Sequence, residues 1–242
     1  MFKRTFDVLL SGLGLVLSLP LWAVIAVAIK LEDGGPIFYS QPRVGKDCRE
    51  FISLKFRSMV ADSDRIAGVR PASENDSRIT RVGTILRATA MDELPQLWNI
   101  FRGDMSFVGP RPEWTKLVEG FRKEIPSFDR RHAVQPGLTG IAQIYGHSET
   151  PRKQKLRYDL LYIRKQSFWL DLRIVFLSFL VTFKGGWEAR SSKLPQLTHA
   201  RSLPNPTRDR RVAQAGAGVP SSTARATQGT VPVPSSPENP AA

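Results

Sequence analysis

Two adjacent carboxylates, Asp92 and Glu93, lie within a stretch of sequence that is rich in lysine and arginine. Arginine matches phosphate oxygens in two-point contacts, and a carboxylate beside a bound phosphate can attack phosphorus to form an acyl phosphate. A diphosphate would repel the pair, so we expect a magnesium ion held by Asp92 and Glu93. The basic residues of this predicted anion site are Lys55, Arg57, Arg78, Arg81, Arg87 and Arg111.

A purely structural role explains the same two carboxylates. Asp92 could cap a helix, because Pro95 would then fall in the first turn, where its missing N–H does no harm. The arginines would in that case form a solvated charged surface. The residue types alone leave both interpretations open. A P-loop nucleotidase is not expected, since Gly45-Lys46 lacks the upstream glycine and the following hydroxyl residue of that motif.

The composition predicts a globular domain with an affinity for polyanions. The chain has 242 residues, 41% of them hydrophobic, and its 35 Lys and Arg exceed its 22 Asp and Glu to give a net charge of +13. Cys48 is the single cysteine, which excludes an internal disulfide. The histidines His132, His147 and His199 are far apart and show no zinc-ligand spacing, so no zinc site is expected.

The N-terminal segment predicts a membrane helix. No charged residue occurs between Val8 and Ile29, which is enough helix to cross the hydrocarbon core. Pro20 lies in the middle of this run and predicts a break. Basic residues flank the run on both sides, so the positive-inside rule gives no orientation. A spanning helix and a re-entrant helix both remain open.

The rest of the chain predicts a mainly α fold with a few short strands (α+β). Ile37–Gln41 and Phe51–Met59 read as a hairpin, and Phe168–Phe183 reads as an interfacial amphipathic helix or a buried core helix. We expect a membrane-inserted segment at 1–34, a catalytic domain at 35–189, and a disordered basic tail rich in Pro, Ala and Ser at 190–242. Apolar spacing predicts further helices at Val82–Ala90, Leu94–Phe101, Trp114–Arg122 and Leu156–Arg164.

Ordered motifs along residues 1–171 resemble the bacterial sugar transferase family, the small monotopic phosphoglycosyl transferases. The motifs around the carboxylate pair are Lys55-Phe56-Arg57-Ser58-Met59, Arg78-Ile79-Thr80-Arg81-Val82-Gly83, Asp92-Glu93-Leu94-Pro95-Gln96-Leu97-x-Asn99 and Val108-Gly109-Pro110-Arg111-Pro112-Glu113. The outlying motifs are Lys3-Arg4-x-Phe6-Asp7, Phe38-Tyr39-x-Gln41-x-Arg43-x-Gly45, Gly103-Asp104-Met105-Ser106, Pro136-Gly137-x-Thr139-Gly140-x-Ala142-Gln143, Tyr158-Asp159-x-x-Tyr162-Ile163 and Ser167-x-x-Leu170-Asp171.

The resemblance implies a complete reaction. Asp92 would be the nucleophile on the sugar-bearing phosphate of a UDP-sugar, Glu93 its partner, and Arg87 and Arg111 phosphate binders, with magnesium required. UMP would leave, and polyprenyl (undecaprenyl) phosphate would then take the sugar phosphate from the aspartyl intermediate, as the first membrane step of exopolysaccharide, capsule or O-antigen synthesis. The other family positions that we assign to substrate binding are Gln143, Asp159 and Asp171.

The resemblance also implies a location and partners. The N-terminal helix would be re-entrant and kinked at Ser18 and Pro20, although many relatives have serine where this chain has Leu19. The active site would lie at the cytoplasmic face of the bacterial inner membrane. Membrane lipids and downstream glycosyltransferases are the expected partners.

Two other function classes compete with the transferase. A membrane-tethered nucleic-acid binder would explain the positive charge, but the sequence contains no recognisable DNA- or RNA-binding motif, so nucleic acid is not an expected partner. A non-catalytic membrane protein that recruits other polysaccharide-assembly enzymes would keep the fold without the chemistry. The intact Asp92-Glu93 pair argues against that alternative.

Overall fold

The computed structural model describes residues 2–61, 63, 76–146 and 150–185. The predicted tail at 190–242 lies outside these residues. The chain begins with a long helix and a β-hairpin, and then continues as mainly short helices with one additional pair of three-residue strands. The predicted class, mainly α with a few short strands, is confirmed.

Helix α1, Phe2–Asp33, is the one helix in the described residues that is long and apolar enough to cross a membrane. Its 32 residues make it about 48 Å long, against a hydrocarbon core of about 30 Å. The helix continues through Pro20, so the predicted break does not interrupt it; a proline removes only one backbone hydrogen bond of the ladder. Ser18 donates to the Leu15 carbonyl oxygen at 3.2 Å. The re-entrant path stays a prediction.

The predicted hairpin is confirmed. Strand β1, Phe38–Val44, pairs antiparallel with β2, Glu50–Phe56. The register sets Gln41 opposite Ser53, with Arg43 two residues further along the same face. The hairpin turn contains a short 3₁₀ segment, Lys46–Cys48, in which Asp47 and Cys48 have φ of 54° and 59°, in the left-handed region.

The predicted helices are present, with ends that differ by a few residues. A second, parallel strand pair, β3 (Ser106–Val108) with β4 (Gly137–Thr139), was not predicted, because three residues are too few to show an alternating pattern. Two further 3₁₀ segments, besides the one in the hairpin turn, are Met91–Glu93 and Phe128–Ala133. The helices after the hairpin are α2 (Arg81–Ala88), α3 (Gln96–Arg102), α4 (Thr115–Glu124), α5 (Ile141–Tyr145), α6 (Arg152–Lys165) and α7 (Phe168–Gly185).

Four small apolar clusters join these elements. One of them connects α1 to the rest of the domain, because Ile25 and Ile29 of α1 pack with Phe56 of β2 and Leu86 of α2. The other clusters lie beneath α3, between α4 and β1, and among β3, α5, α6 and α7. Helix α1 therefore contributes some of its side chains to the core, while its other apolar side chains are exposed.

Helix α7 has one buried and one exposed side. Asp171 and Ile174 are buried, whereas Trp169, Phe176 and Phe179 are 76%, 62% and 61% exposed. The alternative prediction of a buried core helix for Phe168–Phe183 is therefore wrong. The exposed apolar stripe is typical of an interfacial helix, and its contact with a membrane stays a prediction.

Gly83 lets α2 approach the end of β2 closely. A Cβ there would lie 2.0 Å from the backbone oxygen of Ser58, whereas nothing lies within 4 Å of a Cβ at Gly120 in α4. We expect Gly83→Ala to destabilise the protein by about 1–3 kcal/mol, because the backbone must move. Gly120→Ala, its control, should stabilise by about 0.5–1 kcal/mol. Denaturant unfolding in detergent measures both, and equal midpoints for Gly83→Ala and the unmodified protein would contradict the argument.

Candidate active site

The carboxylate pair lies against strand β2, where two cations meet Glu93. Lys55 Nζ is 2.5 Å from Glu93 Oε1 and 3.6 Å from Asp92 Oδ2. Arg111 Nη2 is 2.7 Å from the same Glu93 oxygen. Glu93 is thus bonded to two positive side chains, while Asp92, within the described residues, has the longer ion-pair contact with Lys55.

The two carboxylates differ in acidity. Burial raises the pKa of Asp92, and the charge of Lys55 opposes this only in part. Burial also raises the pKa of Glu93, but Arg111 and Lys55 together outweigh it and hold that pKa well below its usual range. Glu93 therefore stays ionised and bound to its cations, and Asp92 is the carboxylate whose oxygens remain available for chemistry.

The helix-cap interpretation of Asp92 is wrong. Asp92 lies inside the Met91–Glu93 turn, which follows Ala90 in a left-handed conformation with φ 56°. The cap position of α3 is held by Pro95, and no side chain caps this helix. Because Pro95 has no N–H to satisfy, the turn and α3 follow one another without needing the Asp92 carboxylate.

Three predicted anion-site residues, Lys55, Arg87 and Arg111, lie beside the pair. Arg87 projects from α2 and its charge acts on Asp92. Its Nε is buried without a hydrogen-bond partner among the described residues. A buried donor without an acceptor is costly, so a bound anion would satisfy it.

The other predicted site residues have partners elsewhere in the structure. Arg57 pairs with Asp33 at the end of α1, and Arg78 pairs with Asp76 at 2.6 Å. The backbone N–H of Arg81 donates to Glu32 at 2.7 Å. Gln143 lies in the short helix α5, where it is buried. Roles for Arg57, Arg78, Arg81 and Gln143 in substrate binding stay predictions.

Arg43 is a buried cation that the sequence interpretation did not assign to the site. Its Nη1 donates to the Pro112 carbonyl oxygen at 2.8 Å, and its guanidinium lies 5.3 Å from the centre of the Trp114 ring. Burial, with the nearby charge of Arg111, lowers its pKa to about 10. The register of the hairpin is the signal that could have assigned Arg43 to the site, because it places Arg43 on the same face as Lys55. The resulting polar recess is lined by Arg43, Ser53, Lys55, Gln96, Arg111 and Pro112.

Asp159 supports the Arg111 segment through Arg131. Asp159 Oδ2 accepts from Arg131 Nη2 at 2.8 Å, and that guanidinium also donates to the Arg111 carbonyl oxygen at 2.8 Å. Burial raises the pKa of Asp159 to about 6, against the lowering effect of Arg131. In the structure, Arg131 therefore lies between Asp159 and Arg111 of the predicted anion site. A direct contact of Asp159 with substrate stays a prediction.

Removal of Arg131 should be strongly destabilising. Arg131→Leu would leave the Asp159 carboxylate buried without its cation, and breaking such a pair costs about 3–5 kcal/mol. The double variant Arg131→Leu/Asp159→Leu should recover part of that loss, because no buried charge is left alone. Denaturant unfolding of the unmodified protein, Arg131→Leu, Asp159→Leu and the double variant tests this. A double variant as unstable as the sum of the two single changes would contradict it.

Asp171 fastens the beginning of α1 to α7. Its carboxylate accepts from Lys3 Nζ at 2.6 Å and from the Tyr162 hydroxyl at 2.8 Å. Lys3 also donates to the Val108 carbonyl oxygen at 3.1 Å, and the Tyr162 hydroxyl oxygen lies 3.0 Å from that carbonyl oxygen. Val108 directly precedes the Gly109–Arg111 turn, so this buried cluster positions the strand that leads to Arg111. Substrate binding by Asp171 stays a prediction.

Comparison with known proteins finds similarity to bacterial sugar transferases. The sequence model of a family described as bacterial sugar transferase matches residues 1–185. A UDP-N-acetylgalactosamine-undecaprenyl-phosphate N-acetylgalactosaminephosphotransferase of Aeromonas hydrophila is 42% identical over 186 residues, which are 76% of this chain and 44% of the relative. A UDP-glucose:undecaprenyl-phosphate glucose-1-phosphate transferase of Klebsiella pneumoniae is 44% identical over 191 residues, 76% of this chain and 40% of the relative.

A shorter relative matches over most of its own length. The exopolysaccharide production protein PSS of Rhizobium leguminosarum bv. phaseoli is 41% identical over 182 residues, which are 72% of this chain and 91% of the relative. The chain spans less than half of the length of the Aeromonas and Klebsiella relatives. The shared region contains the carboxylate pair and all of the helices and strands described above.

Proposed function

The chain belongs to the bacterial sugar transferase family, and we propose on that basis that it transfers a sugar 1-phosphate from a UDP-sugar to undecaprenyl phosphate and releases UMP. The observation that carries the proposal is the unequal pairing of the two carboxylates. Glu93 is bonded to Lys55 and Arg111, whereas Asp92 is buried beside them with a longer contact of 3.6 Å to Lys55, which leaves its oxygens available for attack.

In the first step an Asp92 oxygen attacks the phosphorus that bears the sugar. The bond from that phosphorus to the UMP oxygen breaks, and UMP leaves with the bonding electrons. Arg111, Arg87 and Lys55 stabilise the negative charge that builds up on the phosphate oxygens. The product of this step is an aspartyl phosphosugar, with the sugar still attached to its phosphate.

In the second step a phosphate oxygen of undecaprenyl phosphate attacks the same phosphorus. The bond to Asp92 breaks, which restores the carboxylate and gives a lipid diphosphate sugar. Glu93 cannot act as an acid near neutral pH, because Arg111 and Lys55 keep its pKa low. Its role is to hold these two cations beside the transferred phosphate.

The carboxylate pair also fits a magnesium ion. Magnesium prefers carboxylate, phosphate and water oxygens, and Asp92 has an oxygen that is not in close contact with a cation in the described residues. When bound, the ion would neutralise diphosphate charge and so let the carboxylate approach phosphorus. The cations around Asp92 disfavour binding of the metal alone, so the nucleotide sugar and the ion should bind together.

We further propose that the domain sits at the cytoplasmic face of the bacterial inner membrane with α1 in the lipid. Both ends of α1 contact the same domain: Lys3 pairs with Asp171, and Asp33 pairs with Arg57. A helix that crosses a bilayer places its ends on opposite sides. Contacts at both ends thus support a re-entrant path, in which the exposed stripe of α7 would also meet the lipid.

A non-catalytic membrane protein that recruits downstream glycosyltransferases is the second candidate. The exposed aromatic residues of α3, Trp98 and Phe101, stack on each other and would suit a protein partner or lipid equally. The intact carboxylate pair and its cations favour catalysis. Recruitment of downstream glycosyltransferases is compatible with catalysis and remains part of the proposal.

The test is a donor panel with detergent-solubilised protein, magnesium and undecaprenyl phosphate. With the correct UDP-sugar we expect continuous UMP release in the presence of the lipid. Without the lipid, UMP release should stop at about one equivalent per protein, because Asp92 stays occupied. No UMP from any donor would refute the transferase and favour the recruiting protein.

A further inference from the structure

A cluster of three potential metal ligands lies outside the site described above. The Cys48 sulfur is 3.5 Å from His132 Nδ1, and the same nitrogen is 3.2 Å from Asp129 Oδ1. All three ligand atoms lie within 4.8 Å of one another. Cys48 comes from the hairpin turn, whereas Asp129 and His132 come from the 3₁₀ segment Phe128–Ala133.

The two separations that involve His132 Nδ1 match the geometry of a tetrahedral zinc ion. Zn–S bonds of about 2.3 Å and Zn–N or Zn–O bonds of about 2.0–2.1 Å, at tetrahedral angles, put S and N about 3.5 Å apart and N and O about 3.3 Å apart. The Cys48–His132 and His132–Asp129 separations are within about 0.1 Å of these values. We propose that Cys48, Asp129 and His132 form a second metal site, which binds Zn²⁺ through one sulfur, one oxygen and one nitrogen.

The donor types select the ion. A thiolate and an imidazole are softer ligands than carboxylates, and they favour Zn²⁺ or Co²⁺ over Mg²⁺. Zinc binds a neutral imidazole, and His132 supplies one from a buried position. Cys48 and Asp129 are exposed, so an ion can enter from solvent with water as its fourth ligand.

Arg122 is the competing group. Its Nε donates to both Asp129 oxygens at 2.9 Å, and it also interacts with Cys48. The Arg122 side chain is 40% exposed, and exposed ion pairs contribute little to stability. The guanidinium can therefore turn into solvent when a divalent ion replaces it between the two anions.

The second ring nitrogen of His132 limits the affinity. Nε2 is buried and has no hydrogen-bond partner in the described part of the chain. When Nδ1 binds metal the proton must reside on Nε2, and the absence of an acceptor for a ligating histidine weakens metal binding by about 10–100-fold. We expect a site of intermediate affinity that fills and empties with the zinc supply.

The site would connect two parts of the structure that lead to the active site. The 3₁₀ segment that contains His132 also contains Arg131, which donates to the Arg111 carbonyl oxygen. A bound ion would fasten this segment to the hairpin that carries Lys55 and Arg43. Zinc should raise the unfolding temperature by about 5 °C or more at a hundredfold excess over its dissociation constant.

Cobalt provides a direct test because Cys48 is the only cysteine in the chain. The full-length protein in detergent is titrated with Co²⁺ in the presence of excess Mg²⁺, which occupies oxygen-only sites. We expect a near-ultraviolet thiolate-to-cobalt absorption band with one Co²⁺ per chain, and Zn²⁺ should displace it. Cys48→Ser should abolish the band.

Variants of the other two ligands decide whether the site is built as proposed. Asp129→Asn and His132→Asn should each weaken Co²⁺ binding at least tenfold, and Arg122→Gln should strengthen it by removing the competitor. Asp129 is exposed, so its variant keeps the test valid even if the buried His132 variant fails to fold. A titration without a thiolate band overturns the proposal. So does a band unchanged in Asp129→Asn, or one Co²⁺ shared by two chains.

Discussion

Replacing Asp92 by asparagine should reduce sugar-phosphate transfer by about 10³-fold or more, because the amide cannot form the acyl phosphate. The shape of the side chain and its buried position are kept, so substrate binding should change little. UMP release measures turnover. Intact-protein mass spectrometry after incubation with donor alone measures the covalent intermediate, which should be present in the unmodified protein and absent from Asp92→Asn.

The matched control is Glu124→Gln, which neutralises an exposed carboxylate that pairs with the likewise exposed Arg152. It should retain full transfer and the covalent intermediate. Transfer by Asp92→Asn at more than about a tenth of the normal rate would contradict the assignment of the nucleophile.

Removing Arg111 should have the second largest effect. Arg111→Gln deletes a cation that touches Glu93 at 2.7 Å and lies beside the proposed phosphate position. Loss of one well-placed charge-stabilising group typically costs about 10²–10³-fold in rate. Because the group acts on charge that develops during transfer, the rate constant should fall more than the apparent affinity for the nucleotide sugar.

A double-mutant cycle with Glu93→Gln separates catalysis from structure. If Glu93 acts by holding Arg111, the double variant should be little slower than Arg111→Gln alone, since contacting residues are not additive. If the losses of transfer rate in the two single variants multiply in the double variant, Glu93 contributes to transfer in another way. Arg102→Gln, which changes a largely exposed arginine paired with Asp104, is the control and should transfer normally.

Much of the fold could be predicted from periodicity. The apolar run of α1, the hairpin and the helices that follow it are local patterns, and each is present within a few residues of its predicted ends. The parallel pair β3 and β4 could not be predicted, because its hydrogen bonds join segments about thirty residues apart and each strand is three residues long. The exact ends of the helices and strands depend on tertiary contacts, which a local sequence pattern does not contain.

The candidate site was predicted in its centre and not in its periphery. Asp92, Glu93, Lys55, Arg87 and Arg111 meet as expected. Arg43 was missed because its position depends on the hairpin register, and Arg131 because only the tertiary structure brings it to the Arg111 carbonyl oxygen. Likewise, Cys48 and His132 are 84 residues apart in the sequence, and only folding brings the Cys48 sulfur within 3.5 Å of His132 Nδ1.

The packing of α1 has a practical consequence for work on this protein. Ile25 and Ile29 fill the same apolar cluster as Phe56 and Leu86, and Asp7 accepts hydrogen bonds from Ser106 and the Phe107 backbone. Deleting residues 1–33 to obtain a water-soluble fragment would uncover that cluster, remove the Asp33 partner of Arg57 and take Lys3 away from Asp171. Helix α1 is therefore a structural part of the domain, and a fragment that lacks it should be less stable than the intact protein.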